Sequence, residues 1–114
     1  MTVPFQRVRL ILFNRYIMND NNFDFNKTII DVVEMIRLAD DLDTNLIDRL
    51  YISLDKVMTD YQSASLIPKL LAYDLLVLHD NLEGSLKFYS GKDNEYISGV
   101  NSKVSEYIEK ILLS

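Results

Sequence analysis

The sequence contains no cysteine, and it has only one histidine, three glycines and two prolines in 114 residues. Without cysteine, a disulfide, a thiolate metal site and a cysteine nucleophile are all excluded. So few glycines and prolines argue against low-complexity disorder and against an all-β fold with many tight turns. The length suits one domain, 1–114, with a core of its own. We therefore expect a single, mostly helical domain.

Basic residues are also few: the chain has twelve lysines and arginines and seventeen acidic residues, so its net charge is −5. Binding to a nucleic-acid backbone depends on clustered basic residues, so nucleic acid is not expected as a partner. Apolar runs are short as well. A membrane span needs about 20 apolar residues, and the run Leu10–Phe13 is too short for a signal peptide. These absences predict a non-secreted, cytoplasmic protein without a membrane span.

The segment Leu66–Leu78 carries apolar residues on every face of a helix, although Pro68, Lys69 and Asp74 interrupt it. A helix that is apolar all round has to be surrounded by other elements. It is expected to be the central helix of a small bundle, or one helix of an oligomeric core. The predicted fold is all-α, a compact bundle of four to five helices with a central apolar helix. A homodimer is a second way to cover that helix.

The first predicted helix starts near Pro4, a residue suited to the first helical turn. Its apolar face is formed by Phe5, Val8, Leu12 and Tyr16. A buried strand over Val8–Phe13 remains an alternative, because periodicity alone does not type a short apolar run. Arg7, Arg9 and Arg15 make this segment basic and it contains no acid. Such a helix either lies on an anionic membrane or in a partner groove, or packs on its own core and pairs with the acidic remainder.

Candidate N-cap residues and the spacing of apolar residues predict the positions of the next two helices. A loop at 19–22 is expected to precede a second helix that is capped by Asn26 and ends near Asp41. A third helix follows a cap at Asp43 or Thr44. Its predicted core positions are Ile47, Leu50, Leu54, Val57 or Met58, and Tyr61.

Ser65 is expected to cap the fourth helix, with Pro68 in its first turn. Two endings of this helix are open. Helical spacing continues through Gly84, whereas Asp80 and Glu83 resemble a capping box that would start a new helix.

The last helix is predicted from about Asp93 to Leu112, after a stop at Gly91. Its apolar repeat is the cleanest in the chain. The repeat consists of Ile97, Val100, Val104, Tyr107 and Ile111.

The segment Asp20–Asp31 is the best local match to a functional motif, a calcium-binding EF-hand loop. Its first, third and fifth positions carry oxygen ligands. Phe25, however, stands where the motif needs glycine, Lys27 replaces an apolar residue, and Asp31 replaces the bidentate glutamate. The favoured interpretation is an Asx-rich loop and helix cap.

A second cluster of carboxylates could bind Mg²⁺ in a helical hydrolase. It comprises Glu34, Asp40, Asp41, Asp43 and Asp48, with Asp31 or His79 as further candidates. No glycine-rich phosphate loop or basic group lies nearby in sequence, so a solvated acidic face is favoured. His79, with Glu83 one turn on, offers only a mixed site or a general base, and an exposed histidine is the commoner outcome.

Seven tyrosines and five phenylalanines are a surplus that the core stripes do not fully use. Tyrosine favours interfaces because it buries a large area and keeps a hydroxyl for a polar partner. The favoured interpretation is that most of these rings are half-buried in the bundle with their hydroxyls in water. The candidate interaction residues, on an apolar face that continues past the fourth helix, are Leu82, Leu86, Phe88, Tyr89 and Tyr96.

The sequence therefore favours a small protein-protein interaction module that acts without catalysis, as an adaptor, a chaperone or an inhibitor does. Its partner is expected to be another protein, and no cofactor, metal or catalytic residue is assigned. The alternative is a metal-dependent (Mg²⁺ or Ca²⁺) helical hydrolase or metal-binding bundle that uses the acidic cluster.

Overall fold

The computed structural model describes residues 20–39 and 41–113, with side chains from residue 23 onward. Over these ranges the chain is all-helical. The four helices are α1 (Asp20–Leu38), α2 (Thr44–Tyr61), α3 (Lys69–Ser85) and α4 (Gly91–Leu113). The predicted all-α class is confirmed for this part of the chain. The first predicted helix, from Pro4, lies outside the described residues.

The helices pack around a square in the order α1, α2, α4, α3, because α1 and α4 each pack on both α2 and α3. A hydrogen bond from Asn26 to Asp74 joins α1 and α3 near their starts, and one from Tyr89 to Ile36 joins them near their ends, so these two helices are parallel. Short connections reverse the chain between α1 and α2 and between α3 and α4. The starts of α1 and α3 and the ends of α2 and α4 therefore share one end of the bundle, which we call the Asp20 end.

The core runs down the middle of this square, and the predicted stripes of two helices supply much of it. In α2 the buried stripe is Ile47, Leu50, Leu54 and Val57, with Met58 and Tyr61 half-buried. In α4 it is Ile97, Val100, Val104 and Ile111, with Tyr107 half-buried. The Asp43 cap is also confirmed, since its carboxylate accepts hydrogen bonds from the backbone N–H groups of Asn45 and Leu46 at 3.0 and 3.2 Å.

The predicted limits of the second helix are wrong. The structure describes α1 from Asp20, so the part of the expected 19–22 loop that is described is helical, and Asn26 lies inside the helix rather than at its cap. Asn26 is buried and donates its side-chain N–H to Asp74, which a sequence reading of caps does not anticipate. The helix ends at Leu38 because Ala39 adopts a left-handed φ of 50°.

The start of the fourth predicted helix is also corrected. α3 begins at Lys69 with Pro68 at its N-cap, which has no side-chain hydrogen bond to the helix, so Ser65 does not have the predicted role. Helix continues through Gly84 and stops one residue later at Ser85. Asp80 lies inside α3, so no new helix starts there.

The all-round apolar segment is enclosed only in part by the described residues. The side chains of Leu70, Leu71, Leu75 and Leu78 are buried. Leu76, in contrast, is 61 % exposed and Leu66 is 84 % exposed. The central position of this helix stays a prediction, because the 19 residues ahead of α1 lie outside the described part.

None of the helices in the described ranges is both long and apolar enough to cross a membrane.

Candidate functional site

An apolar groove of about 350 Å³ runs along the outside of the bundle between α3 and α4. α3 lines it with Ala72, Leu75, Leu76 and His79. α4 lines it with Ser105, Ile108, Glu109, Leu112 and Leu113. We call this the α3/α4 groove. It opens toward the Asp20 end, because Ala72 lies near the start of α3 and Leu112 near the end of α4.

Leucine side chains dominate the exposed surface of this groove. Leu75 forms its floor and is 1 % exposed, whereas Leu76, Leu112 and Leu113 are 61 %, 49 % and 80 % exposed. Single exposed leucines are ordinary on a protein surface, but three that border one groove form a contiguous apolar patch. A contiguous exposed apolar patch is typical of an interaction surface.

The spacing of residues in α3 and α4 explains why a groove forms here. Leu71, Leu75, Leu78 and Leu82 are the stripe of α3 that faces the core. Ala72, Leu76 and His79 follow at helical spacing on the next face, so α3 is apolar on both faces. Ala72 and Ser105 are small and leave the space between the helices open. The all-round apolar pattern of the sequence therefore corresponds to two surfaces, one in the core and one in the groove.

Charge in the groove is of one sign. Glu109 is the acidic residue of the lining, and the described residues contribute no lysine or arginine to it. His79, the candidate general base, is half-buried in the wall of the groove. An occupant with a basic polar face is therefore favoured over an acidic one.

A second cavity, of about 220 Å³, lies between α1 and α2 and has a different character. Asp24, Lys56 and Asp60 contribute charged groups to its lining, together with Ile52 and Ser53. Ile52 is 69 % exposed. This smaller, charged cavity provides a matched control surface for the α3/α4 groove.

Three of the five predicted interaction residues lie beyond the end of α3, and of these only Phe88 is exposed, since Leu86 and Tyr96 pack partly against the core. Phe88 is 68 % exposed, with the Lys87 ammonium 5.7 Å from its ring centroid. Leu86 and Tyr96 are half-buried. Burial raises the pKa of Tyr96, with smaller contributions from the charges of Asp48 and Asp43. Whether these side chains contact a partner stays a prediction.

The other two predicted interaction residues lie in the core. Leu82 is fully buried, and Tyr89 is 9 % exposed. The Tyr89 hydroxyl donates a hydrogen bond to the backbone carbonyl of Ile36 at 3.2 Å. Through this bond Tyr89 ties the α3–α4 connection to the end of α1.

Tyrosines on the face shared by α2 and α4 make contacts within the chain. The rings of Tyr51 and Tyr107 stack with centroids 6.4 Å apart, and the Lys103 ammonium lies 4.3 Å from the Tyr51 centroid. The Tyr107 hydroxyl donates to the Asp55 carboxylate at 2.7 Å. Burial and this hydrogen bond raise the pKa of Tyr107 to about 12. Tyr107 therefore stays a neutral donor at physiological pH, and the cluster joins α2 to α4.

A buried polar pair between α1 and α3 has no counterpart among the sequence-predicted sites. The Asn26 side chain donates to the Asp74 carboxylate at 2.7 Å, and the second carboxylate oxygen of Asp74 has no hydrogen-bond partner among the described residues. Burial raises the pKa of Asp74 to about 7, and the Asn26 bond lowers it only in part. In the sequence, the only sign of this pair is that Asp74 interrupts the apolar segment Leu66–Leu78.

The two metal sites considered from the sequence are not assembled in the part of the chain that the structure describes. Within residues 20–39 and 41–113, no three histidine or acidic side chains are placed to hold a metal ion. Asp20–Asp31 is part of α1, so its backbone is a helix rather than an EF-hand loop. Asp40, a member of the second acidic cluster, lies outside the described residues.

Comparison with protein-family models, curated proteins and solved structures found no significant match.

Proposed function

We propose that this chain is a non-catalytic interaction module that binds an amphipathic helix of another protein in the α3/α4 groove. The single observation that carries the proposal is the contiguous apolar groove bordered by Leu76, Leu112 and Leu113. Grooves of this kind receive the apolar face of a helix through side chains spaced by three, four and seven residues.

The size of the groove sets the length of helix that it accepts. From Ala72 to His79 the lining of α3 advances by seven residues, which is about 10 Å along a helix. This length matches two turns of a bound helix and three apolar side chains. We expect micromolar affinity, because three buried side chains also have to offset the entropy lost on binding.

Charge indicates which amphipathic helix fits best. Glu109 borders the groove without a basic neighbour in the described lining, and the chain as a whole is acidic. A bound helix with lysine or arginine on its polar face therefore gains favourable electrostatics at the rim. We propose a basic amphipathic helix as the ligand.

The test is a binding titration with a designed peptide that has leucines at helical spacing and lysines on its polar face. Fluorescence anisotropy of the labelled peptide measures its Kd for the full chain. The variant Leu76→Asp places a charge in the groove, and we expect it to weaken binding about tenfold, because a desolvated charge costs at least about 1.4 kcal/mol.

The matched control is Ile52→Asp, which adds the same charge at a similarly exposed apolar residue of the smaller α1/α2 cavity. Its Kd should stay within about twofold of the unmodified chain, because general attraction between the acidic protein and the basic peptide is altered equally in both variants. Equal effects of the two substitutions would mean that the peptide does not use the α3/α4 groove.

The alternative of a metal-dependent hydrolase has no assembled site among the described residues to support it. A rise in the melting temperature with Mg²⁺ or Ca²⁺ would support that alternative, since an ion that binds only the native state stabilises it. The cytoplasmic location and the homodimer also stay predictions. Light scattering on a size-exclusion peak measures the oligomeric state.

A further inference from the structure

We propose that the chain's own N-terminal segment, residues 4–16, occupies the α3/α4 groove, and that a partner helix binds by displacing it. The inference rests on the proposed function, because it names the regulator of the same groove. The N-terminal segment would then inhibit binding of the partner helix, because both are basic amphipathic helices that occupy the same groove.

The position of the groove places it within reach of this segment. The described part of α1 begins at Asp20, and the groove lies at the same end of the bundle. α1 packs directly on α3, one wall of the groove, and packed helices lie about 8–10 Å apart. A helix seated in the groove lies beyond α3, between one and two such spacings from α1, and the four Cα steps from residue 16 to Asp20 reach about 14 Å when extended.

The length and pattern of the segment also fit the groove. A helix over 4–16 is about 20 Å long, more than the roughly 10 Å of groove measured along α3. Its face of Phe5, Val8, Leu12 and Tyr16 has the three- and four-residue spacing that a groove occupant needs.

Charge complementarity supports the same occupant. Arg7, Arg9 and Arg15 make the segment basic throughout, and it contains no acid. The described lining of the groove offers Glu109 and no basic residue. The seventeen acids of the chain all lie after residue 19, so the segment and the bundle carry opposite charges.

An internal occupant would also complete the enclosure of α3. In the described residues α3 packs on α1 and α4 and leaves Leu76 exposed. A helix in the groove would cover Leu76 and give α3 a third neighbour. The apolar residues on all faces of α3 would then have partners within one chain.

The first test traps the segment by a disulfide, for which a chain without cysteine is well suited. Phe13→Cys adds a thiol to the segment beside its four spaced apolar residues. Ser105→Cys adds the second thiol in the α3/α4 groove, and Ser53→Cys in the α1/α2 cavity serves as the matched control.

We expect the double variant F13C/S105C to form its disulfide within one chain at least about tenfold faster than F13C/S53C, because docking raises the effective concentration of the two thiols. Rates are followed by mass spectrometry under a fixed thiol-disulfide buffer. Equal rates, a faster reaction in F13C/S53C, or disulfides formed only between two chains would overturn the inference.

The second test uses the Leu/Lys peptide on the full chain. Leu12→Asp places a charge on the apolar face of the segment, whereas Asn14→Asp adds the same charge on the opposite side of a helix. We expect Leu12→Asp to tighten peptide binding by roughly 10- to 100-fold and Asn14→Asp to leave it unchanged, because only the first frees the groove.

The outcomes separate the inference from the proposed function. Peptide binding in the groove that is equally tight with and without Leu12→Asp overturns the inference and leaves the proposed function intact. No groove binding by the Leu12→Asp chain overturns the proposed function, and the disulfide rates then still decide where the segment lies. Circular dichroism confirms that each variant retains its helices.

Discussion

Among the described residues, Asp74 is a side chain whose acidity the fold alters strongly. It lies 3 % exposed between α1 and α3, where only one of its carboxylate oxygens has a hydrogen-bond partner among the described residues. Loss of water around the charged form raises its pKa to about 7. In the unfolded chain the pKa of an aspartate is about 3.9. Asp74 therefore couples folding to pH.

The sign of this coupling follows from the two pKa values. Between about pH 4 and pH 7 the folded chain binds more protons at Asp74 than the unfolded chain does. The contribution of Asp74 to stability is full below about pH 4 and is lost as the pH rises through about 7. Its size is at most about 4 kcal/mol, at roughly 1.36 kcal/mol per pKa unit.

Asp74→Asn tests this prediction because asparagine resembles the protonated acid and does not ionise. We expect the free energy of unfolding of the variant to depend less on pH between about 4 and 8. The unmodified chain should lose stability relative to the variant as the pH rises. Urea denaturation at several pH values measures both, and parallel curves would show that Asp74 is ionised normally in the core.

At the scale of single helices, α2 and α4 were predictable because each has one apolar stripe and an otherwise polar surface. The buried residues Ile47, Leu50, Val100 and Val104 all follow three- and four-residue spacing. The start of α1 was not predictable in this way. Asn26 has the chemistry of a helix cap, but its partner is Asp74, 48 residues away, and only the tertiary structure brings the two together.

The position of the candidate site was not predicted, since none of the five interaction residues named from the sequence lines the α3/α4 groove. The apolar residues on every face of α3 indicated that something covers the helix. They did not indicate that Leu76 borders a groove, because the second wall comes from Ile108 and Leu112 on α4. Which helix faces meet depends on the order in which the helices pack in the bundle. The spacing of apolar residues along a single helix does not reveal that order.

Two glycines of α4 have opposite roles in its stability. Gly99 lies inside the helix with open space around the position of a β-carbon, so Gly99→Ala should raise the free energy of unfolding by up to about 1 kcal/mol. Gly91, at the start of the helix, has a φ of 60°. Gly91→Ala should lower the free energy of unfolding by about 1 kcal/mol, because alanine is strained in that conformation.

Urea denaturation of the two variants measures both effects. Open space surrounds both glycines, so steric crowding does not explain a difference between them. A loss of stability in Gly99→Ala would indicate that this part of α4 is not a regular helix. A gain in Gly91→Ala would indicate that residue 91 does not adopt a positive φ.

At the scale of the whole molecule, one helix contributes to two apolar surfaces. The inner face of α3 builds the core with the other three helices, and the outer face builds the α3/α4 groove with α4. The same feature of the sequence therefore serves stability and, in the proposed function, binding. This division explains why Leu76 is exposed although its neighbour Leu75 is buried.

The most direct test is an isoleucine-methyl NMR spectrum of the full chain during titration with the Leu/Lys peptide. Ile108 lines the α3/α4 groove, Ile52 lines the α1/α2 cavity, and Ile97 is buried in the core. We expect the Ile108 resonance to shift on titration, with smaller peptide concentrations needed in the Leu12→Asp chain, while Ile52 and Ile97 stay in place. A shift of Ile52 without Ile108, or no shift of Ile108 at saturating peptide in the Leu12→Asp chain, would contradict binding in the α3/α4 groove.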